Sequence, residues 1–449
     1  MKAAGLSAAS LAAPKFAPAA EKPAQKPNVL LYVADDHGTD DAGCYGNPVI
    51  KTPGLDTLAS EGTRFTHAFC TTASCSASRS VILTGLHNHA TGQYGHEHRY
   101  NHFISFSDIK SLPVLLENTG YRTACAGKYH VAPESVYHFQ QYIKEGPPVS
   151  LAETSKAFIT ADNNQPFFLY FCTTEPHRPF LREGSDTFDP KNVIVPSYLP
   201  DIPQCRSELA EYYGSVQRAD KGLLRLIEIL KETGRWDDTL IIYISDNGIA
   251  FPGAKTTVYE PGIRLPCVVR NPFAGKKGVA TNAMVTWADI TPTILDFAQA
   301  LPEKPNFHGR SFLSVLEKEN PQGWDEIYAS HTFHEITMYY PMRVVRTRRY
   351  KLIWNIAHKL DYPFASDLWA SSTWQAVLKS GDKVYGKRSI EAYIHRPRFE
   401  LYDLQNDPHE IHNLADDTNH SQMLQELKEK LKAFQKRTKD PWILKWSYE

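Results

Sequence analysis

The sequence lacks most of the features that would assign a 449-residue chain to a class at once. No apolar run is long enough to cross a membrane as a helix, so no membrane span is expected. Lysine and arginine (49 together) balance aspartate and glutamate (50 together), which leaves no basic excess for binding nucleic acid. The seven cysteines are scattered, without a Cys-x-x-Cys pair or a disulfide framework. Any anionic ligand must therefore be met by a local pocket.

The composition that is present predicts a packed, enzyme-sized protein. Hydrophobic residues make up 42% and aromatic residues 12% of the chain, enough for a large core. At this length one large domain and one smaller domain are expected. Residues 1–27 are rich in alanine, proline and lysine. They resemble the end of an export signal that lacks its arginine pair, although a disordered leader has the same composition. We favour export to a bacterial periplasm.

Four short apolar runs predict buried parallel strands, and amphipathic segments between them predict helices. The clearest helix is Glu208–Thr233, which has apolar residues at helical spacing and stops at Gly234. Strands that alternate with helices predict an α/β fold with a large, mostly parallel sheet flanked by helices, over residues 28–310. The predicted strands are Asn28–Ala34, Arg122–Ala126, Pro166–Phe171 and Thr239–Ser245.

The pattern changes in the last third of the chain. Met342–Ile356 predicts two strands around a basic turn, and Phe399–Leu404 predicts another strand. Ser421–Arg437 predicts an amphipathic helix. Segments of this kind are typical of an α+β unit in which one helix packs on an antiparallel sheet. We therefore predict a smaller C-terminal domain over residues 311–449.

Acidic and amide side chains follow the first and last predicted strands. Asp35 and Asp36 end the first strand, and Asp246 and Asn247 end the last. Because adjacent carboxylates at a buried strand end repel each other, a cation between them is expected. An all-oxygen ligand set favours calcium over magnesium. The alternative is that both pairs only form turns, as most such dipeptides do.

Basic side chains follow the other strands. Lys128 and His130 lie two residues apart, so on an extended segment they would face the same side. His177 follows the third strand in a proline-rich loop, and Lys255 lies shortly after Asp246. An ammonium stabilises an anionic oxygen and an imidazole transfers a proton. Taken singly, these residues have simpler explanations. Lys128 and His130 are compatible with a solvated basic loop, His177 with a structural histidine and Lys255 with a surface lysine.

Cys75 lies in the pentapeptide CSASR, just before an apolar, helix-like run. A helix N-terminus and the guanidinium of Arg79 can together hold an anion. The alternative is a buried structural thiol. Five histidines follow within a short stretch, but their spacing matches no metal-ligand motif; they are His87, His89, His96, His98 and His102.

Six segments together resemble the type I sulfatase family, in that family's order. They are NVLLYVADDHG, CSASRSVILTGLHNHATGQYG, GKYHV, TEPHRPF, SDNGIAFPGAK and LYDLQNDPHEIHNLA, and they span nearly the whole chain from Asn28. The resemblance implies an alkaline-phosphatase-like fold. It also implies that a formylglycine-generating maturation enzyme oxidises Cys75 to formylglycine, whose aldehyde hydrate attacks sulfur.

The resemblance implies a role for each candidate residue. Calcium would be bound by Asp35, Asp36, Asp246, Asn247 and the modified Cys75. Arg79 would hold the formylglycine hydrate, and His177 would give the leaving group its proton. The sulfate would be surrounded by Lys128, His130, His177 and Lys255.

Within the family, the likeness is greatest to members that act on N-sulfoglucosamine, through the stretches SLPVLLENTGYRTACAGKYHVAPESVY, DITPTILDF and HEITMYYPMR. This implies removal of the N-linked sulfate of heparan sulfate or heparin, with sugar contacts from Glu175, His334 and Glu335. Three positions depart from the pattern. Ala77 stands where proline is commoner, Lys255 where an arginine is expected, and Glu175 where an aspartate is expected.

Other activities stay open at this point. An O-sulfatase on glycosaminoglycan or another sulfated polysaccharide would use the same sulfate pocket with different sugar contacts. A phosphonate or phosphate monoester hydrolase is a second alternative, and an unmatured carbohydrate-binding protein is a non-enzymatic one. A homodimer is compatible with the resemblance.

Overall fold

A computed structural model describes residues 26–162 and 164–448 of the chain. The predicted leader, apart from Lys26 and Pro27, lies outside the described residues, so its export function stays a prediction. Within the described part, no helix combines the length and the apolar character needed to cross a membrane.

An eight-stranded sheet forms the centre of the fold. Its middle strand, β1, is fully buried and pairs in parallel with both β5 and β6. The strand order is β4-β3-β5-β1-β6-β7-β2-β8, and only β7 runs antiparallel to its neighbours. The strands are β1 Asn28–Ala34, β2 Thr63–Phe69, β3 Arg122–Gly127, β4 Gln141–Ile143, β5 Phe167–Cys172, β6 Thr239–Ser245, β7 Cys267–Arg270 and β8 Val279–Thr286.

Helices cover both faces of this sheet, as the continuous apolar strands require. One face carries Leu30 and Tyr32 and packs against α1, α5 and α6. The other face carries Val29 and Leu31 and packs against α2, α4 and α8. The helices are α1 Pro53–Glu61, α2 Cys75–Thr84, α3 Asn88–Thr91, α4 Leu112–Glu117, α5 Pro148–Thr160, α6 Pro203–Glu232, α7 Glu260–Ile263, α8 Ile290–Phe297, α9 Ser366–Trp369, α10 Ser372–Ser380, α11 Ile390–Ile394, α12 Ser421–Thr438 and α13 Lys445–Tyr448.

A separate antiparallel sheet lies in the C-terminal part of the chain, in the order β14-β11-β10-β9. One face, with Val344 and Ile353, joins the core of the large sheet, and the other face, with Leu352 and Trp354, packs against α12. A two-stranded pair, β12 and β13, stands apart from it. The strands are β9 Glu326–His331, β10 Met342–Thr347, β11 Tyr350–Asn355, β12 Val384–Tyr385, β13 Arg388–Ser389 and β14 Phe399–Asp403.

The predicted architecture is confirmed. The four predicted strands correspond to β1, β3, β5 and β6, and the predicted C-terminal hairpin, third strand and helix correspond to β10, β11, β14 and α12. The helix predicted over Glu208–Thr233 begins earlier, at Pro203. The boundary near residue 310 stays a prediction.

The carboxyl ends of β1, β3, β5 and β6 meet at one edge of the large sheet, where a parallel α/β fold places its ligand. Backbone conformations there are unusual: Asp36, His130 and Thr256 have φ values of 73°, 54° and 67°. Non-glycine residues in this left-handed region cost energy and are concentrated at functional sites. Gly127, at φ 85°, has no room for a side chain, because an added Cβ would lie 2.1 Å from the Cys172 carbonyl oxygen.

Candidate active site

Cys75 is the first residue of α2 and lies beneath the carboxyl edge of the large sheet. It is 1% exposed, and its Sγ is 3.9 Å from Oδ1 of Asp36. The preceding residue, Ser74, does not cap the helix with its side chain. The N–H groups of the first turn therefore remain at the positive end of the helix dipole, beside the cysteine. This is the anion-holding arrangement that the pentapeptide predicts.

Three carboxylates and one amide surround that sulfur. Oδ1 of Asp246 accepts a hydrogen bond from the backbone N–H of Asp36 at 3.1 Å, and Nδ2 of Asn247 donates to Oδ1 of Asp36 at 2.5 Å. One ligand atom from each of Asp35, Asp36, Cys75 and Asp246 lies within 4.8 Å of all the others. The two strand-end pairs predicted from the sequence thus converge on one point.

The donor set fits a hard divalent cation. Oδ1 of Asp35 and Oδ1 of Asn247 are buried and have no hydrogen-bond partner among the described residues. Burial raises the pKa of Asp36 to about 6, although Lys255 opposes the shift. Burial and the charge of Asp35 raise the pKa of Asp246 to about 7. Burial disfavours the charged form of these carboxylates, and two buried oxygens lack a hydrogen-bond donor. A bound cation would stabilise both.

Two cations contact the carboxylates of this cluster. Arg79, from α2, places Nε 3.0 Å and an NH2 nitrogen 2.8 Å from Oδ2 of Asp246. Nζ of Lys128, after β3, donates to Oδ2 of Asp35 at 2.6 Å. Burial alone would raise the pKa of Asp35, but Lys128 and His177 outweigh it and hold that pKa well below its usual range.

A third cation, Lys255, bridges two carboxylates. Its Nζ lies 2.9 Å from Oδ2 of Asp36 and 3.0 Å from Oδ2 of Asp367, a residue that sequence reasoning missed. Nε2 of His177 lies 3.8 Å from Asp36 and 3.9 Å from Asp367. Burial and the charge of Lys255 lower the pKa of His177 to about 4 in the ligand-free chain. A bound anion would favour the charged imidazolium.

Four histidines form the adjoining wall. Nε2 of His130 lies 2.9 Å from Nδ1 of His98, and Nε2 of His96 lies 3.0 Å from Nε2 of His334. Burial lowers the pKa of His130 and of His334 well below the usual value. These imidazoles are therefore neutral hydrogen-bonding groups in the ligand-free chain. His87 lies elsewhere, packed against His308 and Phe434.

The prediction that Lys128 and His130 lie on an extended segment is wrong. β3 ends at Gly127, and His130 has a positive φ, so these residues are not on a regular strand. Both nevertheless line one cavity of about 300 Å³. His177, His334, Glu335 and Asp367 line it as well.

Glu175 is the predicted sugar contact that the structure places elsewhere. Its side chain is 1% exposed and does not line the cavity. Its Oε1 lies 3.0 Å from Arg218 and 3.4 Å from Arg182. In this structure Glu175 is therefore not a sugar contact: its buried carboxylate pairs with two arginines, because a buried charge needs a partner.

Comparisons with known proteins agree with this geometry. A sulfatase family model matches residues 27–300, and a model described as N-sulphoglucosamine sulphohydrolase, C-terminal, matches residues 253–365 and 383–437. The chain is 36% identical to human N-sulphoglucosamine sulphohydrolase over 93% of its own length and 91% of that protein. This chain belongs to the sulfatase family. It is also 31% identical to an ulvan-active sulfatase of Formosa agariphila, over 90% of this chain and 78% of that one.

Solved structures place the fold in the sulfatase and alkaline-phosphatase-like class. A complex with D-glucosamine-2-N,6-O-disulfate, described as the substrate of that protein, aligns with a TM-score of 0.71 at 22% identity, over 93% of this chain and 99% of that one. A phosphonate monoester hydrolase of Agrobacterium radiobacter aligns with the same TM-score at 20% identity, over 92% and 96%. The predicted family and enzyme class, a sulfatase hydrolase, are thus confirmed.

Proposed function

We propose that this sulfatase removes the N-linked sulfate of N-sulfoglucosamine, in heparan sulfate or heparin, with a formylglycine made from Cys75 and with bound calcium. The observation that carries the proposal is the convergence on Cys75 of a helix N-terminus, a carboxylate cluster and three cations. A cavity of about 300 Å³, lined by Lys128 and His177, is of a size to admit a sugar. The substrate class follows from the 36% identical human relative and the matching C-terminal family model.

The chemistry at Cys75 favours modification over a plain thiol nucleophile. Burial raises the pKa of its thiol well above the usual value, so the unmodified side chain stays protonated at neutral pH. A formylglycine here would supply an aldehyde hydrate: one hydroxyl would attack sulfur, and the second would then lose its proton, expel the sulfate carried on the first oxygen and regenerate the aldehyde. Oxidation would occur before the chain folds, because the folded thiol is 1% exposed.

Calcium would be held by Asp35, Asp36, Asp246 and Asn247. Their oxygens include the two buried ones that have no hydrogen-bond partner among the described residues. Bound there, it would withdraw negative charge from a sulfate at Cys75. The chain's own cations would act on the same anion, because all three contact this cluster: Arg79 at Asp246, Lys128 at Asp35 and Lys255 at Asp36. His177 faces the cavity and is placed to give a proton to the departing group.

The first test is the linkage that wild-type enzyme cleaves. Matured protein should release sulfate from N-sulfoglucosamine with a kcat/KM at least about tenfold above that for glucosamine 6-O-sulfate. Ion chromatography of released sulfate measures both rates. Ready release from the 6-O ester with none from the sulfamate would overturn the N-sulfatase assignment and favour an O-sulfatase, while membership of the family would stand.

The second test concerns His177. A sulfamate nitrogen is a poor leaving group without a proton, whereas an aryl sulfate releases a stable phenolate. His177→Ala should therefore lower kcat on N-sulfoglucosamine by about 10²-fold or more and on 4-nitrophenyl sulfate by about tenfold or less. His358→Ala, in the C-terminal part of the chain outside the cavity lining, provides the control. Equal losses on both substrates would show that His177 does not serve the leaving group.

We also propose export to a bacterial periplasm and maturation by a formylglycine-generating enzyme that accepts Ala77. The alanine- and proline-rich leader supports export, and the CSASR segment supports maturation. A homodimer remains a prediction.

A further inference from the structure

Asp367 is a carboxylate on the cavity wall with no role in the scheme above. It lies in the first turn of the four-residue helix α9 and is 22% exposed. Its Oδ2 binds Lys255 at 3.0 Å and faces His177 at 3.9 Å. Its other oxygen, Oδ1, is buried and has no hydrogen-bond partner among the described residues.

The position of Asp367 is fixed by its neighbours. Oε1 of Glu335 accepts hydrogen bonds from the backbone N–H and the hydroxyl of Ser366, at 2.9 and 2.6 Å. Lys255, on a loop of the large sheet, holds the carboxylate itself. The charges of Lys255 and His177 outweigh burial and lower the pKa of Asp367 to about 2, so the group is ionised at neutral pH. A fixed negative charge therefore lines a cavity that must admit an anion.

A negative charge in the cavity would distinguish N-linked from O-linked sulfates. A sulfamate and water yield an ammonium sugar and sulfate: the N–S bond breaks, water oxygen becomes bonded to sulfur, and both protons of that water go to nitrogen. A sulfate ester and water yield a neutral alcohol and hydrogen sulfate. Positive charge thus develops on the sugar only when the sulfate is N-linked, and a carboxylate stabilises only that charge.

We propose that Asp367 is a specificity-determining residue, whose carboxylate lines the cavity and stabilises the ammonium that forms on the leaving nitrogen. This inference rests on the proposed function for its substrate. It differs from the role of Lys255, which contacts the sulfate end of the site and serves N- and O-linked sulfates alike.

The test compares leaving groups in wild-type enzyme and in Asp367→Asn, Asp367→Glu, Lys128→Gln and Asp361→Asn. Asp367→Asn should lower kcat/KM for N-sulfoglucosamine at least about tenfold more than for 4-nitrophenyl sulfate. Asp367→Glu should restore most of that ratio, because it keeps the charge. Lys128→Gln should lower both rates by a similar factor, because Lys128 contacts Asp35 at the sulfate end of the site. Asp361→Asn, the same change at a 77% exposed position nearby, should change neither.

A binding measurement separates this inference from the proposed function. Calorimetric titration with D-glucosamine, an ammonium sugar, should show about tenfold tighter binding to wild-type protein than to Asp367→Asn, whereas N-acetylglucosamine should bind both alike. Equal losses on both sulfated substrates, with glucosamine binding unchanged, would overturn the role of Asp367. A wild-type enzyme inactive on N-sulfoglucosamine would refute the proposed function, and glucosamine binding would still decide for or against Asp367.

Discussion

Cys75→Ala should abolish sulfate release, with a loss of at least about 10³-fold in kcat, while the protein stays folded. The residue lies where the helix N-terminus, the carboxylate cluster and the cations meet, so no neighbouring side chain can replace it as nucleophile. Its removal deletes only a small side chain from a buried position, which costs little stability. Sulfate release and thermal unfolding, followed on the same preparation, measure the two effects.

Cys70→Ala is the matched control, because Cys70 is also fully buried and lies only five residues upstream. It should retain turnover within about threefold, since its thiol faces the Gly262 carbonyl oxygen rather than the cavity. Cys75→Ser should behave like Cys75→Ala unless the maturation enzyme also oxidises serine. Undiminished activity in Cys75→Ala would refute the nucleophile assignment.

Asp246→Ala should remove bound calcium and lower kcat by at least about 10²-fold. Asp246 holds three groups at once: the backbone N–H of Asp36, the guanidinium of Arg79 and, by our proposal, the cation. Its loss would leave Arg79 without its closest carboxylate. Elemental analysis should find calcium in the wild-type protein and none above background in the variant.

Asp237→Ala is the control for this prediction, because Asp237 lies just before the other end of the same strand and its side chain is 94% exposed. It should leave calcium content and turnover unchanged. Chelation of wild-type protein should reproduce the loss of activity, and added calcium should restore it. Full turnover in a preparation shown to be free of divalent metal would contradict the calcium assignment.

The carboxylates of the cluster, together with Lys128 and His177, could be predicted because they follow apolar runs. Asp35 and Asp246 end strands that pair residue for residue, so the parallel register alone brings them together. The same reasoning places Lys128 and His177 at the ends of neighbouring strands. Runs of buried residues are the strongest signal that a sequence carries, and here they determine the site.

The outer part of the cavity could not be predicted in this way. Asp367 reaches Lys255 across a sequence separation of 112 residues, from a short helix that no motif marks. The family resemblance predicts Glu175 as a sugar contact. Its actual partners, Arg182 and Arg218, come from a loop and from α6, and only the tertiary structure brings them to it. Contacts made by irregular segments leave no periodic pattern in the sequence.

Three strands of the large sheet could not be predicted either. β7 has only four residues and runs antiparallel between β6 and β2, which α/β alternation does not predict. β2 and β8 contain mixed polar and apolar residues, because each lies near one end of the strand order. Short and partly exposed strands lack the continuous apolar run that identified β1 and β6.

The central claim is that activity depends on formylglycine at position 75, and peptide mass measures it most directly. In active protein the tryptic peptide containing residue 75 should be about 18 Da lighter than its cysteine form, the difference between a thiol and an aldehyde side chain. It should also react with a hydrazide label. Across preparations with different degrees of conversion, sulfate release from N-sulfoglucosamine should rise in proportion to the lighter, labelled fraction. Full activity in protein whose Cys75 is entirely an unmodified thiol would contradict the account.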